Sequence, residues 1–127
     1  MRRFLCACLI GMTVLAGGCG RPSPMTAGGK PVVYWLQTLH DPDARARRKA
    51  ALTLGNVGSA DPAVVPALAG SLKDGDAGVR GEAVLALLKI GPAARAAVPG
   101  LTEAEKDPDD RVRAYAAKAL EKVRGGS

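Results

Sequence analysis

Three groups of side chains in this 127-residue sequence could do chemistry. The first is a thiol. In VLAGGCGRPSPM, Val14 to Met25, Cys19 follows two glycines at the end of an apolar run, where it could be a structural thiol, a metal ligand, a nucleophile or a point of attachment. The second is a set of acid and base pairs four residues apart, Asp43 with Arg47, Asp76 with Arg80 and Asp109 with Arg113, which could bind anions or hold the chain to itself. The third is ARARRKA, Ala44 to Ala50, whose four positive charges could touch phosphate or simply face solvent.

For the thiol, elimination favours attachment. The start MRR is positively charged, Phe4 to Ala16 is an apolar stretch of 13 residues, and the small residues Gly17 and Gly18 stand before Cys19, which is the layout of an export leader. As a helix that stretch would rise about 20 Å, short of the roughly 30 Å hydrocarbon core of a bilayer, so a leader is favoured over a permanent membrane span. Cys6 and Cys8 lie inside the apolar run and would leave with it, so Cys19 has no partner for a disulfide. With His40 the one histidine, a zinc site lacks ligands, and no metal is expected. The stretch resembles the lipobox of bacterial lipoproteins, in which the cysteine after the small residues is acylated and becomes the first residue of the mature chain. That family usually places Leu three residues before the cysteine; here Ala16 stands there and Leu15 one place earlier. The division expected is a signal peptide over residues 1–18, a flexible Pro-, Gly- and Ser-rich tether over 19–30, and a folded domain over 31–124.

The elements that must position the Asp and Arg columns are legible from a repeat. A shift of 33 residues superposes DPDARARRKAALTLGNVG (from Asp41) on DGDAGVRGEAVLALLKIG (from Asp74) and on DPDDRVRAYAAKALEKVR (from Asp107), without a gap. Ala50, Ala83 and Ala116 share a column, as do Leu54, Leu87 and Leu120, and Trp35, Leu68 and Leu101 in the shorter segment before. Within a unit the apolar positions Val79, Ala83, Val84, Leu87 and Ile90 are spaced by three and four, which predicts a helix with one buried stripe. Asp76 is placed to cap its start, and Gly91 to end it in the left-handed conformation. The shorter segment carries Val65, Leu68 and Leu72 on one side, with Pro66 in its first turn. Each unit is therefore a short helix, a turn and a longer helix. Such a hairpin cannot bury its own apolar face, so the units must stack.

These recurring residues resemble the HEAT-like repeats of the phycobilisome-lyase type. The resemblance runs from about residue 31 to 124 and implies an all-α, right-handed α-solenoid of about three helical hairpins, with units near 31–58, 62–91 and 95–124. It also implies that Asp43, Arg47, Asp76, Arg80, Asp109 and Arg113 form a structural ladder, in which arginine bonds to backbone and to aspartate at the junction between repeats. The outer units depart from the pattern at Ala46, Glu105 and Arg124, as the water-facing ends of a solenoid would, and the stack is expected to be complete. Trp35 is expected in the core and Tyr34 nearer the surface; His40 shares a solvent-facing column with Lys73 and Lys106.

The function expected is a non-enzymatic protein–protein interaction or scaffold module, anchored as a lipoprotein in a bacterial cell envelope. Secreted or periplasmic placement is the alternative location. An HEAT-like lyase or chaperone-type component, or a nucleic-acid-binding HEAT protein, are the alternative functions. Against the first of these stand the lack of a second mature thiol and an aromatic content of only 3% to grip a tetrapyrrole. Against the second, the net charge of +6 falls to +4 once Arg2 and Arg3 leave with the leader, a mild excess with no nucleic-acid motif beside it. No cofactor and no small-molecule substrate are expected; the partners are an unidentified protein and the membrane, through lipid on Cys19.

Overall fold

A computed structural model describes residues 26–125; the expected signal peptide, Cys19 and the first part of the expected tether lie outside them. The chain begins with a two-stranded antiparallel hairpin, β1 (Thr26–Ala27) and β2 (Lys30–Pro31), paired Thr26 to Pro31 and Ala27 to Lys30. Gly28 and Gly29 between them hold φ of +55° and +77°, the pair of positive angles that a tight two-residue hairpin loop requires. Six helices follow: α1 (Val32–Thr38), α2 (Ala44–Val57), α3 (Val64–Ser71), α4 (Ala77–Ile90), α5 (Val98–Ala104) and α6 (Asp110–Arg124). The long helices α2, α4 and α6 pack side by side as one row, and each short helix packs on the long helix that follows it. The result is the all-α solenoid of three helical hairpins that the period demands.

Each helix starts and stops where local chemistry dictates. Asp43, Asp76 and Asp109 sit at the N-caps of α2, α4 and α6 in extended conformation, and their carboxylates accept from amides of the first turn. The short helices have no side-chain cap, but α3 and α5 carry Pro66 and Pro99 within their first turns, where no intrahelical amide is lost. Gly58 and Gly91 close α2 and α4 with φ of +66° and +73°. Their ψ of −146° and −138° departs from the expected left-handed helical cap. The chain leaves each long helix in an extended kink that only glycine adopts cheaply, and runs into short 3-10 segments, Gly58–Ala60 and Gly91–Ala97.

The core follows the columns. Ala50, Ala83 and Ala116 are fully buried, as are Leu54, Leu87, Leu68 and Leu101, while Trp35, Leu39 and Leu72 are nearly so. With alanine in the central column the long helices approach closely, and one tight approach is at a residue whose role the periodicity does not show. A Cβ built on Gly55 of α2 would lie 2.8 Å from the Ala86 Cβ of α4. Glu105, in the column of Leu39 and Leu72, is exposed at the last unit.

Two regions differ from the sequence-based division. Residues 26–30, read as tether, are folded: Trp35 donates its indole N–H to the Ala27 carbonyl at 2.7 Å, and Gly28 lies against Trp35 and Thr53. The hairpin thus packs against α1 and α2. Ile90, placed on the buried stripe, is only partly buried, because the chain turns away at Gly91.

Gly55→Ala should lower stability by about 1–3 kcal/mol, since overpacking at the α2–α4 contact outweighs the gain of about 1 kcal/mol in helix propensity. Urea unfolding of the two chains measures the sign; an unchanged or raised midpoint contradicts this contact.

Candidate functional site: the junction ladder and the long-helix face

The polar columns converge at the edge where each short helix turns into its long helix. Two aspartates per unit divide the work there. The second caps the long helix; the first folds the turn, as the Asp74 carboxylate accepts from the Asp76 amide at 2.9 Å and the Asp107 carboxylate from the Asp109 amide at 2.9 Å. The arginine of the unit before then reaches across. Arg47 donates Nε and Nη2 to the two Asp74 oxygens at 2.8 and 3.0 Å, and its Nη1 to the Asp41 carbonyl at 2.8 Å. Arg80 repeats this on Asp107 at 2.8 and 3.0 Å, with Nη1 on the Asp74 carbonyl at 2.9 Å. One guanidinium thus ties its own turn to the next unit through a two-point, charge-assisted contact.

The ladder residues read from sequence are therefore split by the structure. Arg47 and Arg80 are the rungs, but Asp43, Asp76 and Asp109 are caps, and the acids that receive the rungs are Asp74 and Asp107, two residues upstream. Spacing along one helix suggested the cap column because it ignores the turn, which brings the upstream aspartate under the neighbouring arginine. Arg113 lies in the last described unit. It donates Nη1 to the Asp107 carbonyl at 2.6 Å and pairs with Asp110 in its own first turn.

These pairs are shielded: the side chains of Arg80 and Asp107 are 14% and 7% exposed, against 42% for Arg113. Burial pushes the Asp74 and Asp107 carboxyls up. The arginine hydrogen bonds, the amide two residues on and the nearby guanidinium charges outweigh it and hold both below the ordinary 3.8. The hydrogen bonds that Asp74 and Asp107 accept in turn hold the Arg47 and Arg80 guanidinium groups above their ordinary range, against the opposing effect of burial. With their donors engaged, these arginines are committed to the junction and do not present an anion-binding ladder.

The remaining candidates lie apart. His40 is exposed on the turn edge, in an open depression with Pro66, Gly70 and Ser71, and the neighbouring Asp74 is already held by Arg47. In ARARRKA, Arg47 is the rung, whereas Arg45, Arg48 and Lys49 are exposed. Among the described residues no group of three or more His, Cys, Asp or Glu converges to hold a metal. Cys19 lies outside the described residues.

The exposed face of the long helices carries a feature that the periodicity did not single out. Between α4 and α6 runs a groove of about 100 Å³ with Leu85 and Tyr115 in its lining, flanked by Arg48, Glu82 and Arg111. A second depression shares Glu82 and Leu85 with it and lies between α2 and α4, lined also by Leu52, which is 52% exposed, and Lys89. The groove exists because α4 has Gly78 and Gly81 where α2 has Arg45 and Arg48. At Gly81 an added Cβ would meet nothing closer than Val112 Cγ2 at 3.9 Å, so packing does not require the glycine.

A profile of the family described as HEAT repeats matches residues 32–121. No curated protein matches the chain. Among solved structures, the complex of CpcE and CpcF of phycocyanin lyase from Nostoc sp. PCC7120 is 30% identical with a TM-score of 0.67, over 88% of this chain and 42% of that one. An engineered protein is 26% identical with a TM-score of 0.65, over 76% of this chain and 46% of that one. Human deoxyhypusine hydroxylase is 30% identical with a TM-score of 0.60, over 74% of this chain and 32% of that one. The chain thus spans under half the length of each structure it matches.

Arg80→Ala leaves the Asp107 carboxylate shielded and unpaired and should cost about 2–3 kcal/mol, whereas Arg113→Ala, at a half-exposed end, should cost under about 1 kcal/mol. Both are read from urea midpoints at neutral pH, and equal losses would remove the junction role. The acid limb of stability carries the same signature. Because Asp74 and Asp107 titrate lower folded than unfolded, their contribution is whole above the ordinary 3.8 and is lost as pH falls below it, through the depressed folded values. In Arg80→Ala the Asp107 share of that loss should vanish, flattening the fall in midpoint between neutral pH and the carboxylate range.

Proposed function

The chain belongs to the HEAT-repeat family, and on that premise we propose that it is a non-enzymatic protein–protein interaction module, held at a bacterial membrane by lipid on Cys19. The observation that carries the binding role is the groove opened by glycine on α4. A glycine inside a helix costs about 1 kcal/mol relative to alanine, and Gly81 returns nothing to the packing beneath it. A local rule broken without a structural return marks a place kept open for something else. Leu52, Leu85 and Tyr115 supply apolar surface along that face, and Arg48, Arg111 and Lys89 supply charge at its rim. That is the composition of a protein contact, apolar within and charged outside.

Support for a binding role over catalysis comes from how the acids are used. Asp41, Asp74 and Asp107 fold turns, Asp43, Asp76 and Asp109 cap helices, and Arg47 and Arg80 neutralise two of them across the junctions. Support for the anchor comes from the sequence around Cys19 alone. A lipid there would confine the module to a surface and raise its effective concentration toward partners on the same membrane.

Two experiments test the two halves. Metabolic palmitate should label the wild-type chain and not Cys19→Ser; an unlabelled wild type removes the anchor. Gly81→Leu should fill the groove and abolish cross-links from Lys89 to a partner in envelope preparations, while Gly81→Ala raises stability by about 0.5–1 kcal/mol. Cross-links that survive Gly81→Leu place the partner elsewhere.

A further inference from the structure

The end of the solenoid where the chain enters carries a surface that neither the ladder nor the groove uses. Lys30 Nζ lies 4.8 Å from the centre of the Tyr34 ring, that ring meets Trp35 edge-on with centroids 5.0 Å apart, and Lys49 Nζ lies 5.8 Å from the centre of the Trp35 ring. These contacts run from Lys30 on β2 through Tyr34 and the nearly buried Trp35 of α1 to Lys49 on α2. Along this row Val33 is 56% exposed and Tyr34 is 41% exposed. Together with Leu52 on α2, these are the exposed large apolar side chains among the described residues. Val33 and Tyr34 thus leave apolar surface of α1 open to water, with the Lys30 ammonium over the Tyr34 ring.

We propose that this row is a docking surface for an anionic phospholipid bilayer, so that the domain lies against the membrane with its first unit down. The inference rests on the anchored reading of Cys19. Two observations choose a bilayer over another occupant. The first is the reach of the chain: Cys19 precedes Thr26 by seven residues, which span at most about 25 Å even when fully extended. A lipid on Cys19 therefore keeps the hairpin, and with it Lys30 and Tyr34, within a short distance of head groups. The second is charge. From Cys19 to His40 the sequence has Arg21 and Lys30 and no acidic residue; the first carboxylate is Asp41, beyond the far end of α1. Tyrosine with its apolar ring and polar tip suits the interface between head groups and water, and lysines nearby meet anionic lipid. A lipid anchor alone leaves a domain free to tumble, whereas an anchor plus a basic, aromatic patch fixes which face looks outward. The groove, on the exposed face of α2, α4 and α6, would then be held in a defined orientation.

Lysine footprinting tests this on the full chain, produced in bacteria with palmitate labelling and reconstituted in vesicles. The vesicles are of phosphatidylcholine alone or of equal parts phosphatidylcholine and phosphatidylglycerol. Acylation of Lys30 and Lys49, read by mass spectrometry, should slow several-fold in the anionic vesicles relative to detergent, with Lys73 and Lys106 on the turn edge unchanged. High salt and Val33→Glu, at an exposed position, should each restore reactivity. Labelled protein whose Lys30 reacts equally in both vesicles and in detergent overturns the docking surface and leaves the anchor. Unlabelled protein that is still protected overturns the anchor and keeps the surface. Unlabelled, unprotected protein overturns both. Protection in envelope preparations but not in protein-free anionic vesicles also overturns it, and assigns the row to an acidic protein instead.

Discussion

A hairpin of two short helices leaves an apolar face uncovered, and everything in this chain follows from how that face is passed on to the next unit. The contact that sets the geometry of the transfer is the bidentate pair of Arg47 on Asp74, repeated as Arg80 on Asp107. Apolar burial supplies most of the free energy but tolerates sliding, because alanine, valine and leucine contacts have no direction. A guanidinium held by two carboxylate oxygens and a backbone carbonyl has one arrangement. The aspartate that receives it has already been fixed by the amide two residues on, so the rung reads the position of the next turn and not just the presence of a charge. Gly55 then permits α2 to come down on Ala86 at the distance the rung demands.

The same logic explains the ends. Asp41 folds its turn without a preceding arginine, and Arg113 turns back to Asp110 and the Asp107 carbonyl. On α6 the columns that hold Leu85 and Leu88 in the middle unit become Lys118 and Glu121, side chains that need no covering. On α2 the free side has Thr53 and Asn56, and the hairpin lies against it. The outer sides of the first and last described units thus differ: on α6 the residues within the repeat change, and on α2 a strand pair outside the repeat is added.

That difference accounts for what the sequence disclosed and what it hid. The three units, their helix boundaries, the alanine and leucine columns and the burial of Trp35 were legible because a period repeats them, so each position is read three times. The division of labour between Asp74 and Asp76 was not, since both recur with the same period and only the path of the turn separates cap from rung. The hairpin was missed because it occurs once and each strand is two residues long, too short for alternation to show; Gly28 and Gly29 were its one signal, and in a Pro- and Gly-rich segment they read equally well as tether. Gly55 hid for another reason. Its column holds Leu88 and Glu121 in the other units, so the close approach it permits is a property of one junction and not of the repeat.

Repetition also governs where function can reside. A residue present in every unit is answerable to the stack, and the recurring acids and arginines are spent there. What distinguishes one solenoid from another must then lie where the units disagree: Gly78 and Gly81 against Arg45 and Arg48, Glu82 against Lys49 and Tyr115, Leu52 and Leu85 against Lys118. These positions share the exposed face of the long helices, where a change of side chain does not disturb the alanine column beneath. Along the turn edge seven aspartates outnumber Arg47, Arg80, Arg113, Lys73 and Lys106, so the domain's basic residues outnumber its acids on the surfaces away from it. The modest net charge of the chain is thus the difference between an acidic edge that holds the fold and basic surfaces that the fold leaves available, and it is the second of these that a partner or a membrane would meet.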